Sequence, residues 1–297
     1  GNAVVIVDML FSRERLETSL MKTKIAIVVG LCCCLSALAS DIALEMQLLR
    51  HAEQSCEAMR LCRRYAEAWL AHADPETGLL PRNLIRDSHW NAKDAAADNY
   101  PFLALTAQVA GLYHLERAAL HILEQEMTLT NRLGALPGSF DFRTQTFLNE
   151  TMDIDDMVFG ASEYIKDGLM PLVEWVGPSP WLDRMKALSR ALYEHTESVM
   201  PPESVPSRNI EVCGELMQSM SRLYWRTGDA WYKERCYALA DRHLLESPVS
   251  ALERIPLRDH GCEIIGGLSE VYVIASLEDP EKHEQYRGPL YALLDLI

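Results

Sequence analysis

Charged residues collect at the starts of four mostly apolar segments of this sequence. These groups lie near Asp98, Asp153, Arg208 and Arg258, and each one leads into an apolar stretch. A helix that is apolar along its length but opens with acids and bases is expected where its body lies in the core and its first turn faces a solvent-filled cavity. Carboxylates and imidazoles at such positions can transfer protons or attack a substrate.

Residues 257–275 contain the densest of these groups, because His260 and Glu263 lie near its start. Gly266 and Gly267 follow, and they allow a neighbouring helix to approach closely. Glycoside hydrolysis needs two carboxyl groups across the scissile bond, one protonated and one ionised. The catalytic residues predicted on this basis are Glu263 as the acid, Asp155 or Asp156 as its partner, and His260 beside Glu263. A structural hydrogen bond between His260 and Glu263 is the alternative.

The same regions supply residues that can bind a sugar. The predicted substrate-binding residues are Trp90, Asp98, Asn99, Tyr100, Arg86, Lys93, Arg208, Glu211 and Arg258. Asp98 and Glu211 are also reserve carboxylates for catalysis. Trp90 either offers a flat face to a sugar ring or fills the loop around it. The basic side chains suit an anionic sugar such as a uronate, since guanidinium forks match carboxylates; alternatively, they neutralise the carboxylate cluster.

The carboxylates also have a purely structural interpretation. Asp98 and Asp153 stand where helix N-caps stand. Asp155 and Asp156 are first-turn acids, which interact favourably with a helix dipole. Sequence alone leaves the structural and the chemical interpretation open.

Metal binding is not predicted. Asp153, Asp155 and Asp156 offer the oxygen ligands that calcium prefers, but this stretch lacks the twelve-residue loop with a glycine at its sixth place. No pair of histidines stands at zinc-ligand spacing. No cofactor is predicted either.

Composition limits the classes of partner. The chain has 297 residues, 48% of them hydrophobic, so a sizeable core can form in one large domain or two. Its formal net charge of -15 argues against nucleic-acid binding, because phosphate contacts require a basic surface. After residue 40 the sequence has no segment long and apolar enough for a stable membrane anchor.

Residues 21–40 have the pattern of a secretory signal peptide. Lys22 and Lys24 precede an apolar run that ends in small residues, which predicts cleavage near Ala39 or Ser40. The mature protein is therefore expected to be secreted or periplasmic, and residues 1–20 are expected to be leader sequence or upstream translation. A structural N-terminal helix is the alternative.

Cysteines do not indicate a disulfide or zinc framework. After the predicted signal peptide, the chain retains Cys56, Cys62, Cys213, Cys236 and Cys262. An odd number of cysteines cannot pair completely, and their spacings match no zinc motif. Most of them are expected to be buried small apolar residues.

From residue 41 the pattern predicts an all-α protein of alternating inner and outer helices. Phe140, Phe142 and Phe147 additionally indicate a short hairpin or an ordered loop. The segment Asp74–Pro81, DPETGLLP, and the acid-headed inner helices resemble the (α/α) toroid of the six-hairpin glycosidase-like proteins. That group includes glycoside hydrolases, some polysaccharide lyases and sugar epimerases.

The resemblance covers most of residues 41–297 and implies one catalytic domain that acts on an oligosaccharide or polysaccharide. A complete toroid has more helices than are predicted here, and the last helix is still apolar where the sequence stops. A ring that is truncated at its C-terminus is therefore expected.

Several reactions remain open on such a fold. Hydrolysis is the first prediction. A lyase would instead eliminate across a uronate, with an arginine on the carboxylate and His260 or Tyr100 moving the proton. Sugar epimerisation is a third possibility. A non-catalytic helical-repeat scaffold that binds protein along a concave face is the alternative from another class, and the irregular loops argue against it.

Overall fold

The computed structural model describes residues 41–85, 89–199, 205–255, 257 and 259–297. The predicted leader and signal peptide fall outside this range. The chain divides into two compact units, Gly1–Leu61 and Cys62–Ile297. In the first unit, residues 41–61 are helical.

The second unit is mostly helical, which confirms the prediction of an all-α protein. Its α-helices are α1 (62–70), α2 (Tyr100–Ala110), α3 (Tyr113–Leu129), α4 (Ile154–Glu163), α5 (Met170–Val176), α6 (Pro180–Val199), α7 (Ile210–Thr227), α8 (Ala230–Ala240), α9 (Glu263–Glu278) and α10 (Pro280–Leu294). Wider π-helical turns cover Ala92–Ala96, Tyr164–Leu169 and Asp241–Glu246, and 3-10 turns cover Val249–Ala251 and Asp259–Cys262. Among the described residues, no helix is long and apolar enough to cross a membrane.

Several helices pack against the next helix in the sequence. Helix α2 packs on α3, α7 on α8, and α9 on α10, while α6 packs on α4, α5 and the turn between them. The first helices of these pairs also contact one another in a row: α2 contacts α5, α4 contacts α7, and α7 contacts α9. This arrangement fits the greater apolarity of α2 and α9 than of their successors α3 and α10, since α2 and α9 each contact a further helix of the row.

Local sequence signals define the α7–α8 hairpin. Asn209 caps α7, its Oδ1 accepting a hydrogen bond from the Glu211 amide at 3.0 Å. Gly228 ends the helix in the left-handed conformation with a φ of 69°, which glycine adopts without steric cost. Asp229 then caps α8 by accepting from the Trp231 amide.

Two glycines allow α7 and α9 to approach unusually closely. A Cβ atom at Gly214 would overlap the carbonyl carbon of Glu263 and the amide nitrogen of Ile264. A Cβ atom at Gly267 would lie 2.6 Å from the Gly214 carbonyl oxygen. The expectation of a close approach is therefore confirmed for Gly267, whereas a Cβ atom at Gly266 would meet only the side chain of Gln218.

Short strands interrupt the helices between residues 89 and 147. They are β1 (His89–Trp90), β2 (Asn131–Leu133), β3 (Leu136–Pro137), β4 (Phe140–Asp141) and β5 (Thr146–Phe147). Strands β2 and β3 pair with each other, and β4 lies between β1 and β5, all antiparallel. Phe140 and Phe147 are cross-strand partners with ring centroids 6.4 Å apart, which confirms the expected ordered hairpin.

Candidate active site

The starts of α4 and α7 line the same cavity, which has a volume of about 510 Å³. The described residues around it are Asp155, Phe159, Val205, Pro206, Ser207, Arg208, Asn209, Val212 and Arg242. Asp155 belongs to the first turn of α4, and Arg208 precedes the cap of α7. Two of the charged helix starts that the sequence singled out therefore come together here.

The cavity combines charge of both signs with an aromatic wall. Arg208 and Arg242 supply guanidinium groups, Asp155 supplies a carboxylate, and Phe159 lies one helical turn after Asp155. A wider depression of about 710 Å³ lies along residues 148–155, so Asp155 borders both concavities. Carboxylate, guanidinium and aromatic groups on one concave surface are the groups expected around a polar ligand with an anionic part.

Lys93 belongs to the π-helical turn Ala92–Ala96 and contacts the start of α4. Its Nζ lies 3.4 Å from Asp156 Oδ1 and 5.2 Å from the centroid of the Phe159 ring. Asp156 is half exposed, and its own amide donates to Asp153 Oδ1 at 3.1 Å. Asp153 is thus the N-cap of α4, in agreement with its structural interpretation, and Asp156 is the ion-pair partner of Lys93.

Glu263 lies at the start of α9 in a nearly buried polar network. Its Oε1 contacts Lys166 Nζ at 2.5 Å, and its Oε2 accepts a hydrogen bond from the Gln218 amide at 2.5 Å. Lys166 also pairs with Asp167 at 2.8 Å, and these two carboxylates raise the pKa of Lys166 against the opposing effect of burial. A carboxylate that faces an ammonium group suits a base or nucleophile better than a proton donor.

Three glutamates from α4 and α7 form a second acidic cluster. One carboxylate oxygen from each of Glu163, Glu211 and Glu215 lies within 4.8 Å of the others. Glu215 is completely buried, and burial together with the negative charges of Glu163, Asp167 and Glu211 raises its pKa to about 8. Of these three residues, only Glu211 was predicted from the sequence to belong to a site.

A signal for Glu215 was present in the sequence. Glu211 and Glu215 stand four residues apart on a mostly apolar helix, which places both on one face. Ser162 lies beside Glu215 and opposes the rise in its pKa, although its hydroxyl donates to the Phe159 carbonyl oxygen at 2.9 Å. Both carboxylate oxygens of Glu215 are therefore left without a hydrogen-bond partner among the described residues.

Three predicted sugar-binding residues are buried instead of facing a cavity. Trp90 has no exposed surface, and its Nε1 donates to the Tyr100 hydroxyl at 2.9 Å. Tyr100 is equally buried, and Asn99 donates its amide to the carbonyls of Asp94 and Ala95. These placements correct the prediction that Trp90, Asn99 and Tyr100 bind a substrate. The physical reason is that aromatic rings gain more from complete burial in the core than from a place on a loop surface.

The remaining predicted residues are placed as follows. Asp98 is exposed just before α2, and Lys93 is half-buried. Arg86, Arg258 and the side chain of His260 lie outside the described residues.

A scan against models of known protein families gave no match. A search of curated proteins likewise gave no significant match.

Proposed function

We propose that this chain is a carbohydrate-active enzyme, in the first place a glycoside hydrolase, that acts on uronate-containing glycans. The observation that carries the proposal is the cavity at the starts of α4 and α7. It joins Asp155, Arg208 and Arg242 to the face of Phe159. The secreted or periplasmic localisation and the (α/α) toroid are parts of the same proposal.

Recognition of an anionic sugar follows from the lining of the cavity. A guanidinium fork can hold a carboxylate by two parallel hydrogen bonds, and Arg208 and Arg242 both line the cavity. The ring of Phe159 offers the apolar surface on which the C–H face of a sugar packs. Asn209 also lines the cavity, and its side-chain amide can bind a sugar hydroxyl.

Hydrolysis requires a second carboxyl group in addition to Asp155. Asp156 and Glu263 are the proposed partners, since each contacts an ammonium group, that of Lys93 and that of Lys166 respectively. This assigns Asp155 to proton donation and moves Glu263 from the acid to the base or nucleophile. In the toroid proposal, the row formed by α2, α4–α5, α7 and α9 is part of the inner ring.

Elimination by a polysaccharide lyase is the second candidate. Its support is that the described lining of the cavity carries two arginines but one carboxylate. Arginines on the uronate carboxylate would acidify the adjacent C–H bond, and Asp155 would take the proton. Epimerisation begins with the same abstraction, and a protein-binding helical scaffold would perform no chemistry.

Product analysis distinguishes these reactions. The purified protein is incubated with uronate-containing oligosaccharides, and products are followed by mass and by ultraviolet absorbance. Saturated products that have gained one water each support the hydrolase. Products that absorb in the ultraviolet and have gained no water assign the chain to the lyases. Absence of turnover on the whole panel contradicts the enzyme proposal and favours the scaffold.

A further inference from the structure

The clustered glutamates Glu163, Glu211 and Glu215 have the geometry of a cation site. Two oxygen ligands on opposite sides of a calcium ion, each at about 2.4 Å, are about 4.8 Å apart. One oxygen from each of the three glutamates lies within 4.8 Å of the other two. The three carboxylates are therefore close enough together to surround a single ion after small side-chain adjustments.

An independent observation comes from the hydrogen bonding of Glu215. This side chain is 0% exposed, and neither of its carboxylate oxygens has a hydrogen-bond partner in the part of the chain that the structure describes. Buried polar groups in folded proteins nearly always have partners, because an unpaired carboxyl group loses its hydration without compensation. The Glu215 carboxyl points at Glu163 and Glu211, two groups that themselves only accept hydrogen bonds when they are ionised.

The negative charges of the three glutamates favour the binding of a cation. The three carboxylates share one small volume, so their negative charges repel one another when they are ionised. The lysine on the neighbouring π-helical turn, Lys166, contacts Asp167 and Glu263. A bound cation would bring positive charge to the three glutamates themselves.

We propose that Glu163, Glu211 and Glu215 bind one divalent cation of the class that prefers oxygen ligands, with calcium, magnesium and manganese as members. Carboxylates alone are typical ligands of these hard ions and poor ligands for thiolate-seeking metals. The ion would join α4 to α7 at a point close to the cavity, since Phe159 and Glu163 are one turn apart and Asn209 precedes Glu211 by two residues. It would thereby hold the end of α4 against the first turns of α7, next to the Phe159 wall of the cavity.

Metal titration of the full chain tests this site without any substrate. The protein is stripped with EDTA, dialysed, and titrated with calcium, magnesium or manganese chloride by calorimetry, while its melting temperature is recorded. We expect one saturable site for at least one of these ions. At a hundredfold excess over Kd, the melting temperature should rise by about 5 °C or more, and EDTA should reverse the rise.

Two variants and a matched control assign the binding to these residues. Glu215→Gln removes the charge of the buried ligand at nearly constant shape, and Glu163→Gln does the same at a half-buried position. Glu234→Gln is the control, because it makes the same chemical change at an exposed site in α8. We expect affinity to fall at least about tenfold in both variants and to be unchanged in the control.

Two outcomes would overturn the proposal. One is the absence of saturable binding to the wild-type protein. The other is a wild-type affinity retained by Glu215→Gln or, should that variant not fold by circular dichroism, by Glu163→Gln. Neither outcome affects the sugar cavity, whose test depends on turnover and not on metal binding.

Discussion

Gly214 in α7 lies directly against the peptide bond between Glu263 and Ile264 at the start of α9. This contact sets the position of Glu263, because the carbonyl group of Glu263 occupies the space that a Cβ atom at position 214 would need. It also brings the start of α9 next to Gln218. The side-chain amide of Gln218 donates hydrogen bonds to the backbone carbonyl and to the carboxylate of Glu263.

Substitution of Gly214 by alanine should therefore destabilise the protein. The added methyl group meets backbone atoms, which cannot move aside as a flexible side chain can, so we expect a loss of about 2–3 kcal/mol in the free energy of unfolding. Gly266→Ala is the control, since its Cβ atom would meet the movable end of Gln218 at 3.2 Å or more. Urea denaturation of both variants measures the difference, and equal stability of the two would refute the explanation.

Lys166 and Glu263 should depend on each other for stability. The side chains are 15% and 13% exposed, so replacing Lys166 by methionine leaves a nearly buried carboxylate without its main counter-charge. We expect Lys166→Met to cost about 3 kcal/mol and the double variant with Glu263→Gln to recover part of that loss. A double-mutant cycle by chemical denaturation measures this coupling. Additive effects of the two substitutions would show that the ion pair has no such role.

Acid should destabilise the fold through His243. Burial, assisted by the charge of Arg242, lowers the pKa of His243 to about 4. In the unfolded chain the imidazole has its ordinary pKa of about 6.5, so it binds a proton at a higher pH than it does in the folded protein. The free energy of unfolding therefore decreases as the pH falls from about 6.5 to about 4. The expected loss is about 2–3 kcal/mol.

The variant His243→Asn isolates this contribution. Unfolding free energies of the wild type and the variant are measured at intervals across that pH range, and the difference between them is compared. The wild type should lose stability relative to the variant as the pH falls. A difference that does not change with pH would contradict the effect of burial on His243.

Arg208 should control the preference for an anionic sugar. It lines the cavity with Asp155 and is exposed to an incoming ligand. Arg208→Gln should raise KM for a uronate oligosaccharide by about tenfold, the effect of losing one charge-assisted hydrogen bond. KM for the matched neutral sugar, if it is turned over, should change little. An equal effect on both sugars would mean that Arg208 does not contact the carboxylate.

Local sequence signals were sufficient for the helices and for part of the site. Asn209 and Asp153 are caps that act within four residues of chain, and the apolar pattern after each cap identifies a core helix. Because helix starts carry the polar residues, the sequence could identify Asp155, Asp156 and Arg208 before their spatial arrangement was known. The cavity joins Asp155 and Arg208, while Asp156 pairs with Lys93 beside it.

The other features of the candidate site depend on contacts between residues that are far apart in the sequence. Arg242 enters the cavity from the π-helical turn after α8, and no local pattern relates it to Asp155 or Arg208. The sequence around Trp90 does not distinguish a tryptophan on a loop surface from one in the core. Its burial depends on contacts with distant parts of the chain and with Tyr100. The cluster around Glu215 was missed because Glu163 comes from another helix.

Turnover of a uronate oligosaccharide by the wild type and by Asp155→Asn, compared side by side, tests the central claim most directly. Asp183→Asn is a suitable control, since that carboxylate is 80% exposed in the first turn of α6. The account predicts that Asp155→Asn lowers kcat by about a hundredfold or more while the fold and the control's activity are retained. Undiminished turnover by Asp155→Asn would contradict the assignment of catalysis to this cavity.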